Sequence, residues 1–546
     1  MKKSTIYILL IATVVLTAFS YSDKLFDLSK NLNLYKDLYI TLNKSYVDEV
    51  EPAQLMKEGL TAMLKDLDPY TNYITEGTVE TAKLERFASG ANIGAELVAI
   101  NNDIVVKSVL QGLPADKVGV KPGDKILKID RKSIEGKSLA DIQLALKGEA
   151  DSPLQITFLP FGKQSEEVKI LYREEIKPQD VTLHQMLNDT VGYVKLSTFN
   201  ARGCSNFVAT AIKELKADGA KYLIFDLRDN RGGLLNESVN ICNLFVDKGI
   251  EVVSSKGRFE QYNKSYVTTA EPLAPEMPTV VLINGISASA SEIVSGTLQD
   301  LDRAVVVGEM SYGKGLVQQT KPIGYGAILK LTIAKYFLPT GRCIQAVDYY
   351  GDYTDKGASQ IADSLKNAFT TPNGRTVYDN SGISPDVEVK PTEITAFVEA
   401  LIKQNIIFDY TNLFQSRFDS IAPAKQFKFT DNDFDDFEAF AEKTNFNFES
   451  STEKSLNSLN ETLQFEKADE SLLNMITQLE KDIQFEKQAL LKENKAQIKN
   501  ILQTEIIARY YYDKGKIEST LNSDSQINES IKLFSDMDAY YQILGI

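Results

Sequence analysis

The side chains best placed to do chemistry lie between Pro278 and Gln319, PTVVLINGISASASEIVSGTLQDLDRAVVVGEMSYGKGLVQQ. Three serines alternate there with alanines, at Ser287, Ser289 and Ser291, and Lys314 stands between two glycines. A serine hydroxyl attacks a carbonyl only when a neighbouring base takes its proton, and histidine is the usual base. This chain has a single histidine, His184, in VTLHQML and away from every serine motif, which reads as a structural residue. Lys314 is then the candidate base, because Gly313 and Gly315 let the backbone approach another segment closely. Its pKa, ordinarily near ~10.4, would have to fall by roughly 3 units, about 4 kcal/mol, through burial away from carboxylates. Spacing alone leaves an ordinary solvated Gly-Lys-Gly turn open.

These side chains need a particular backbone. Thr279 to Ile283 is rich in β-branched residues and predicts a strand, Asn284 and Gly285 break it, and Ala290 to Gln299 has helical spacing, with Ile293, Val294 and Leu298 on one face. A strand-to-helix turn of this kind holds one hydroxyl at the mouth of a parallel sheet. The free N–H groups of the helix lie beside it and can receive developing negative charge. That is what an acyl-transfer nucleophile needs. A second β-branched run, Ala304 to Val307, leads into GEMSYGKGLVQQ.

NGISASASEIVSGTLQD followed by GKGLVQ resembles the serine-lysine active site of the C-terminal processing (tail-specific) peptidases. The resemblance implies Ser289 as nucleophile, Lys314 as base and Gln318, one helical turn beyond, as the residue that orients the lysine. The family's other signature is matched by DLRDNRGG, Asp226 to Gly233, after the apolar strand Tyr222 to Phe225. It implies an oxyanion hole made by a backbone N–H of Gly232 or Gly233 together with that of Ala290. Arg231 stands where the family usually carries proline. The family implies a core built as a spiral of ββα units like that of crotonases, which periodicity does not reveal.

From 87 to 175 short alternating strands are broken by glycine, and GVKPGDKILKIDRKSI after LPADK resembles a PDZ domain. Such a module adds a peptide's C-terminal strand to a sheet edge and holds its carboxylate on loop N–H groups. Here the resemblance assigns that loop to Gly90–Ala95, including Gly94, with Ile93 and Leu97 near the pocket for the last side chain. Turn-building glycines are the alternative.

Composition sets the outer limits. The chain has 546 residues, 43% of them hydrophobic, enough for two to four packed domains. A net charge of −15 without clustered Lys and Arg argues against nucleic acid as a partner. Cys204, Cys242 and Cys343 are scattered, without metal-ligand spacing, and neither a metal nor a cofactor is expected. DNDFDD, 431–436, lacks the glycine and terminal glutamate of a calcium loop and reads as a solvated acidic turn.

The expected architecture is multidomain α/β. Residues 1–20 form an export signal or short anchor, 21–86 a helical region, 87–175 the inserted PDZ module, 176–392 the peptidase core and 393–546 a C-terminal helical region. The apolar run 5–19 follows two lysines and is shorter than the ~20 residues of a comfortable span. It predicts export to the periplasm or the periplasmic face of the inner membrane, with cleavage or retention as a membrane tether both open, and oligomerisation open as well. The functional expectation is an exported serine endopeptidase acting on proteins and peptides with free C-termini. A catalytically silent PDZ scaffold and a crotonase-like acyl-transforming enzyme are the alternatives.

Overall fold

Runs that are apolar and β-branched at every position, such as TVVLI and VVVG, are satisfied only where both faces of a sheet are covered. In the computed structural model both lie side by side in one six-stranded sheet. The structure describes residues 25–65, 67–75, 91–176, 180–200, 202–348, 359–360, 366–390, 393–444, 446–466 and 469–546. The apolar run 5–19 and Gly90 lie outside them. The chain divides into two units, Met1–Glu76 with Gln318–Thr332, and Gly77–Val317 with Ile333–Ile546.

In the smaller unit a helical stretch over 25–45 precedes α1 (Pro52–Lys65). The Asp-Pro turn then reverses the chain: Asp68 Oδ1 accepts the N–H groups of Tyr70 and Thr71, each at 2.8 Å. Within the region 21–86, expected as helical, residues 72–74 form a strand, β1 (Asn72–Ile74), paired antiparallel with residues 328–330. Tyr and Ile favour a pleated surface when one is offered.

The larger unit opens with the β-rich module. Strands β2 (Ala95–Ile100), β3 (Asp103–Val109) and β4 (Lys125–Ile129), helix α2 (Leu139–Leu146) and strands β5 (Pro153–Leu159) and β6 (Glu167–Tyr172) form an antiparallel sheet in sequence order, with the helix against it. Its interior is its own, built around Val106, Ile126, Ile142, Leu154, Ile156 and Phe158.

The core sheet follows: β7 (Val181–Met186), β8 (Val191–Leu196), α3 (Cys204–Ala217), β9 (Tyr222–Asp226), α4 (Leu235–Cys242), β10 (Thr279–Ile283), α5 (Ala290–Asp300), β11 (Val305–Gly308) and β12 (Val387–Glu388). The strands lie in that order, and from β8 onward all are parallel. Successive side chains alternate between faces. Leu223, Phe225, Val281, Ile283 and Val306 join α3, α4 and α5 in one core, while Ile224, Val280, Leu282, Val305 and Val307 point into a second.

That second face is covered by the end of the chain. Helices α6 (Ala396–Lys403), α7 (Ile406–Arg417), α8 (Asp431–Glu442), α9 (Ser451–Phe465), α10 (Glu470–Glu493) and α11 (Lys495–Thr520) precede α12 (Ser525–Ser535) and α13 (Met537–Ile543). Ile527, Phe534, Tyr540 and Leu544 are buried against the sheet, and the Tyr540 hydroxyl bridges Thr279 N–H and C=O at 2.9 and 3.0 Å. The end of the C-terminal helical region is therefore part of the core of the sheet. Residues 431–436, expected as an acidic turn, are instead the first half of α8, capped by Thr430, with Asp431 2.9 Å from both Lys495 and Lys499.

Candidate active site

The site forms where β9 and β10 end side by side. Beyond β10, the turn at Asn284 delivers the three serines, and the fold treats them differently. Ser287 is fully buried and donates to Leu227 O at 2.9 Å; Ser291, also fully buried, donates to Asn230 O at 2.8 Å. Both hydroxyls pin the loop 226–233 to the serine turn. Ser289 is half-buried and lines an open cleft of about 440 Å³ with Ser197, Thr198, Asn200, Asp229, Arg231, Gly232, Gly233 and Lys314. Its backbone, at φ 56° and ψ −111°, is strained for a residue with a side chain. That strain lifts the hydroxyl out of the turn at the start of α5, whose residues are all buried.

Glu292 holds the turn from within. Fully buried, its carboxylate accepts Ser289 N–H at 2.7 Å, Lys314 N–H at 2.9 Å, and Gly313 N–H and the Ser311 hydroxyl at 2.6 Å each. Burial pushes the carboxyl above its usual range, against the pull of those same hydrogen bonds. One side chain thus fixes the backbone of both the serine and the lysine. It is absent from the expected site residues, and its one signal in the sequence is the capping-box spacing of an acid three residues after the serine that opens a helix.

The lysine segment is anchored as the flanking glycines allow. Gly313, at φ 83°, lies so close to residues 345–346 that a Cβ there would fall 2.2 Å from that of Ala346. Gly315 N–H donates to Gln345 Oε1 at 2.9 Å. The buried Tyr336 hydroxyl donates to Lys314 O and lies 3.4 Å from Ser289 O. Gln318 belongs to the smaller unit, where its amide reaches Thr332 Oγ1 at 3.4 Å. It stands on a strand, Leu316–Gly324, and not one helical turn beyond the lysine.

The loop 226–233 supplies the main-chain donors. Asp226 is fully buried and accepts Tyr193 Oη and Arg228 Nη2, each at 2.6 Å. Burial opposes its ionisation, but the charges of Arg228 and Lys195 and these hydrogen bonds prevail and hold it below the usual carboxylate range. Asp229 and Asn284 exchange hydrogen bonds of 3.0 and 2.9 Å across the two strand ends. Gly232, at φ 91°, abuts the serine turn: a Cβ would sit 2.6 Å from Ala288 O and 2.8 Å from Ala290 N. Gly232 N–H is taken by Asn230 Oδ1 at 2.9 Å, whereas Gly233 N–H donates to no described residue. Arg231 is exposed at the rim.

His184 stands apart, on β7, with Nε2 2.7 Å from Glu214 on the surface. In the PDZ module Ile93 and Leu97 are buried in the interior. Gly94 N–H is taken by Asn92 Oδ1 at 2.7 Å, its C=O accepts Leu110 N–H at 2.8 Å, and Ala95 opens β2 opposite Val109.

Three family models match the chain: peptidase family S41 over residues 190–354, the PDZ domain over 81–159, and the C-terminal helical domain of a probable PDZ-protease over 397–534. The carboxy-terminal-processing protease of Bartonella bacilliformis is 35% identical over 323 residues, 58% of this chain and 73% of that protein. A probable CtpA-like serine protease of Staphylococcus aureus is 32% identical over 433 residues, 74% of this chain and 83% of its own. Among solved structures, the photosystem II D1 C-terminal processing protease is 26% identical over 65% of this chain and 86% of its own, with a TM-score of 0.38. With a serine turn and a glycine-paired loop meeting at the strand ends, and with relatives matched across most of their length, the chain belongs to the C-terminal processing peptidases, a serine-type family within peptidase family S41.

Proposed function

We propose that the chain is an exported endopeptidase that takes up protein C-termini through its PDZ module and cuts peptide bonds with Ser289 as nucleophile and Lys314 as base. The observation that carries this reading is the different fate of the three serines: Ser287 and Ser291 spend their hydroxyls on buried carbonyls, while Ser289 shares a cleft with Lys314 and the paired glycines. Neutral Lys314 takes the proton from Ser289 as its oxygen adds to the scissile carbonyl. Gly233 N–H and Ala290 N–H receive the oxyanion. The tetrahedral adduct collapses to an acyl-enzyme, the lysine returns the proton to the leaving amine, and water repeats the sequence on the ester. Gln318 is proposed to orient the lysine. Carboxylate capture is proposed at the loop that includes Gly94 and Ala95, and export rests on the apolar run 5–19 after two lysines.

The test is hydrolysis of an unfolded protein with a free apolar C-terminus. Ser289→Ala and Lys314→Ala should each lose turnover by a factor on the order of 10³ or more while keeping the wild-type circular dichroism. His184→Ala should stay near wild type. Substantial loss in a folded His184→Ala variant, or turnover by folded Ser289→Ala, would sink the dyad.

A further inference from the structure

The first turn of α12 reaches the loop that carries Gly232 and Gly233, although 296 positions separate Arg228 from Asp524. Arg228 Nη1 donates to Asp524 Oδ2 at 2.6 Å and to Gln526 Oε1 at 3.3 Å, while its Nε and Nη2 hold Asp226 at 3.0 and 2.6 Å. The guanidinium is thus stretched between a carboxylate at the end of β9 and one on the C-terminal helix, with side chains 15% and 19% exposed in the Arg228–Asp524 pair. Asp524 is itself fixed, since its Oδ1 caps α12 by accepting Gln526 N–H and Ile527 N–H at 2.9 and 3.1 Å. Next to it, Gln526 donates to Val389 O at 3.0 Å. Its Oε1 lies 3.2 Å from where a Cβ on Gly308 would stand, at the end of β11 and the start of the segment leading to Lys314.

We propose that Asp524 is a positioning residue for the peptidase reaction, holding Arg228 so that the main chain from 228 to 233 presents Gly233 N–H beside Ala290 N–H. The proposal rests on the Ser289-centred reading above. The rest of the loop is held by hydrogen bonds at neighbouring positions: Leu227 N–H to Leu282 O, Asp229 N–H to Asn284, and Asn230 to Leu196 O. Arg228 also receives Lys195 Nζ on its carbonyl at 3.3 Å. Without Asp524, Nη1 keeps only the neutral Gln526 Oε1, and the guanidinium must turn toward water or settle wholly on Asp226. Either movement pulls on the backbone immediately before the oxyanion donors, where small displacements are costly to the transition state. A helix far outside the peptidase motifs would then be part of the catalytic apparatus.

The full chain tests this with Asp524→Ser, which retains a capping oxygen but is too short to reach Arg228, and with Asp524→Asn, which retains the shape and removes the charge. Both should lose on the order of tenfold to a hundredfold in kcat on a quenched peptide, with little change in KM. Affinity for a peptide boronate, whose tetrahedral adduct occupies the oxyanion position, should fall in parallel. Asp524→Glu should recover part of the loss, and Lys532→Ala, on the surface of the same helix, should match wild type. Active sites are counted by a fluorophosphonate, so that loss of folded enzyme is separated from loss of rate. If Asp524→Ser fails to fold, Asp524→Asn carries the comparison. Wild-type kcat per active site and wild-type boronate affinity in a folded Asp524 variant would overturn the proposal, even if melting temperature falls. Turnover by Ser289→Ala, measured alongside, would instead overturn the nucleophile assignment.

Discussion

Three serines spaced two residues apart are set to different tasks by the fold. Ser287 and Ser291 are ties between loops; Ser289 faces solvent in a strained conformation. Around them the charged groups are held as pairs and hubs, and Asp226 is fully buried between Arg228 and Lys195. Its carboxyl is held below the usual range in the folded chain, so its stabilising contribution is complete above the unfolded value and disappears as pH falls through the folded one. Asp226→Asn leaves Arg228 and Lys195 without their buried counter-charge and should cost about 3–5 kcal/mol near neutrality. That gap should shrink as pH drops below about 4, toward the folded-state value. Urea unfolding of both proteins across that range is the measurement. A gap that stays constant into strong acid would show that ionised Asp226 is not its source.

Elements position these side chains through close backbone approach. The loop 226–233 lies against the serine turn so tightly that Gly232 has no room for a side chain. Gly232→Ala combines a positive φ with a Cβ 2.6 Å from Ala288 O. It should lose most activity and about 1–3 kcal/mol of stability, because the loop must retreat from Ala290 N–H. Single-turnover acylation against melting temperature reads the two effects apart; wild-type acylation would mean that the glycines serve the turn and not the oxyanion. Arg231 is exposed at the rim of the cleft, and neighbouring hydrogen bonds at Leu227, Asp229 and Asn230 restrain the loop on either side of it.

Across the whole molecule, the parallel sheet is covered on one face by α3, α4 and α5 and on the other by the last two helices of the chain. Phe534 stacks on Tyr222 with ring centroids 4.9 Å apart and is 5% exposed. Phe534→Ala should therefore cost about 3–5 kcal/mol in chemical unfolding of the full chain. A loss below about 1 kcal/mol would mean that α12 is a loosely attached cover and that the sheet is stable without it.

Much of the core sheet and its chemistry was legible in the chain itself, although residues 72–74 and 431–436 took forms their local pattern does not predict. Apolar β-branched runs required a sheet buried on both faces, the break at Asn284-Gly285 required a strand-to-helix turn, and a lone histidine far from the serine motif left Lys314 as the candidate base. Motif resemblance added the peptidase family and the PDZ module. Local pattern could not decide which residues far apart in the chain would meet. The amphipathic faces of α12 and α13 look the same whether they bind another chain or this sheet. Only packing, which maximises buried apolar area over the whole molecule, places Tyr540 on Thr279 and Asp524 on Arg228. Tertiary structure likewise made Glu292 the buried hub of the site. Its spacing records only the cap on Ser289 N–H, whereas the donors from Ser311, Gly313 and Lys314 come from a segment folded back through a separate strand.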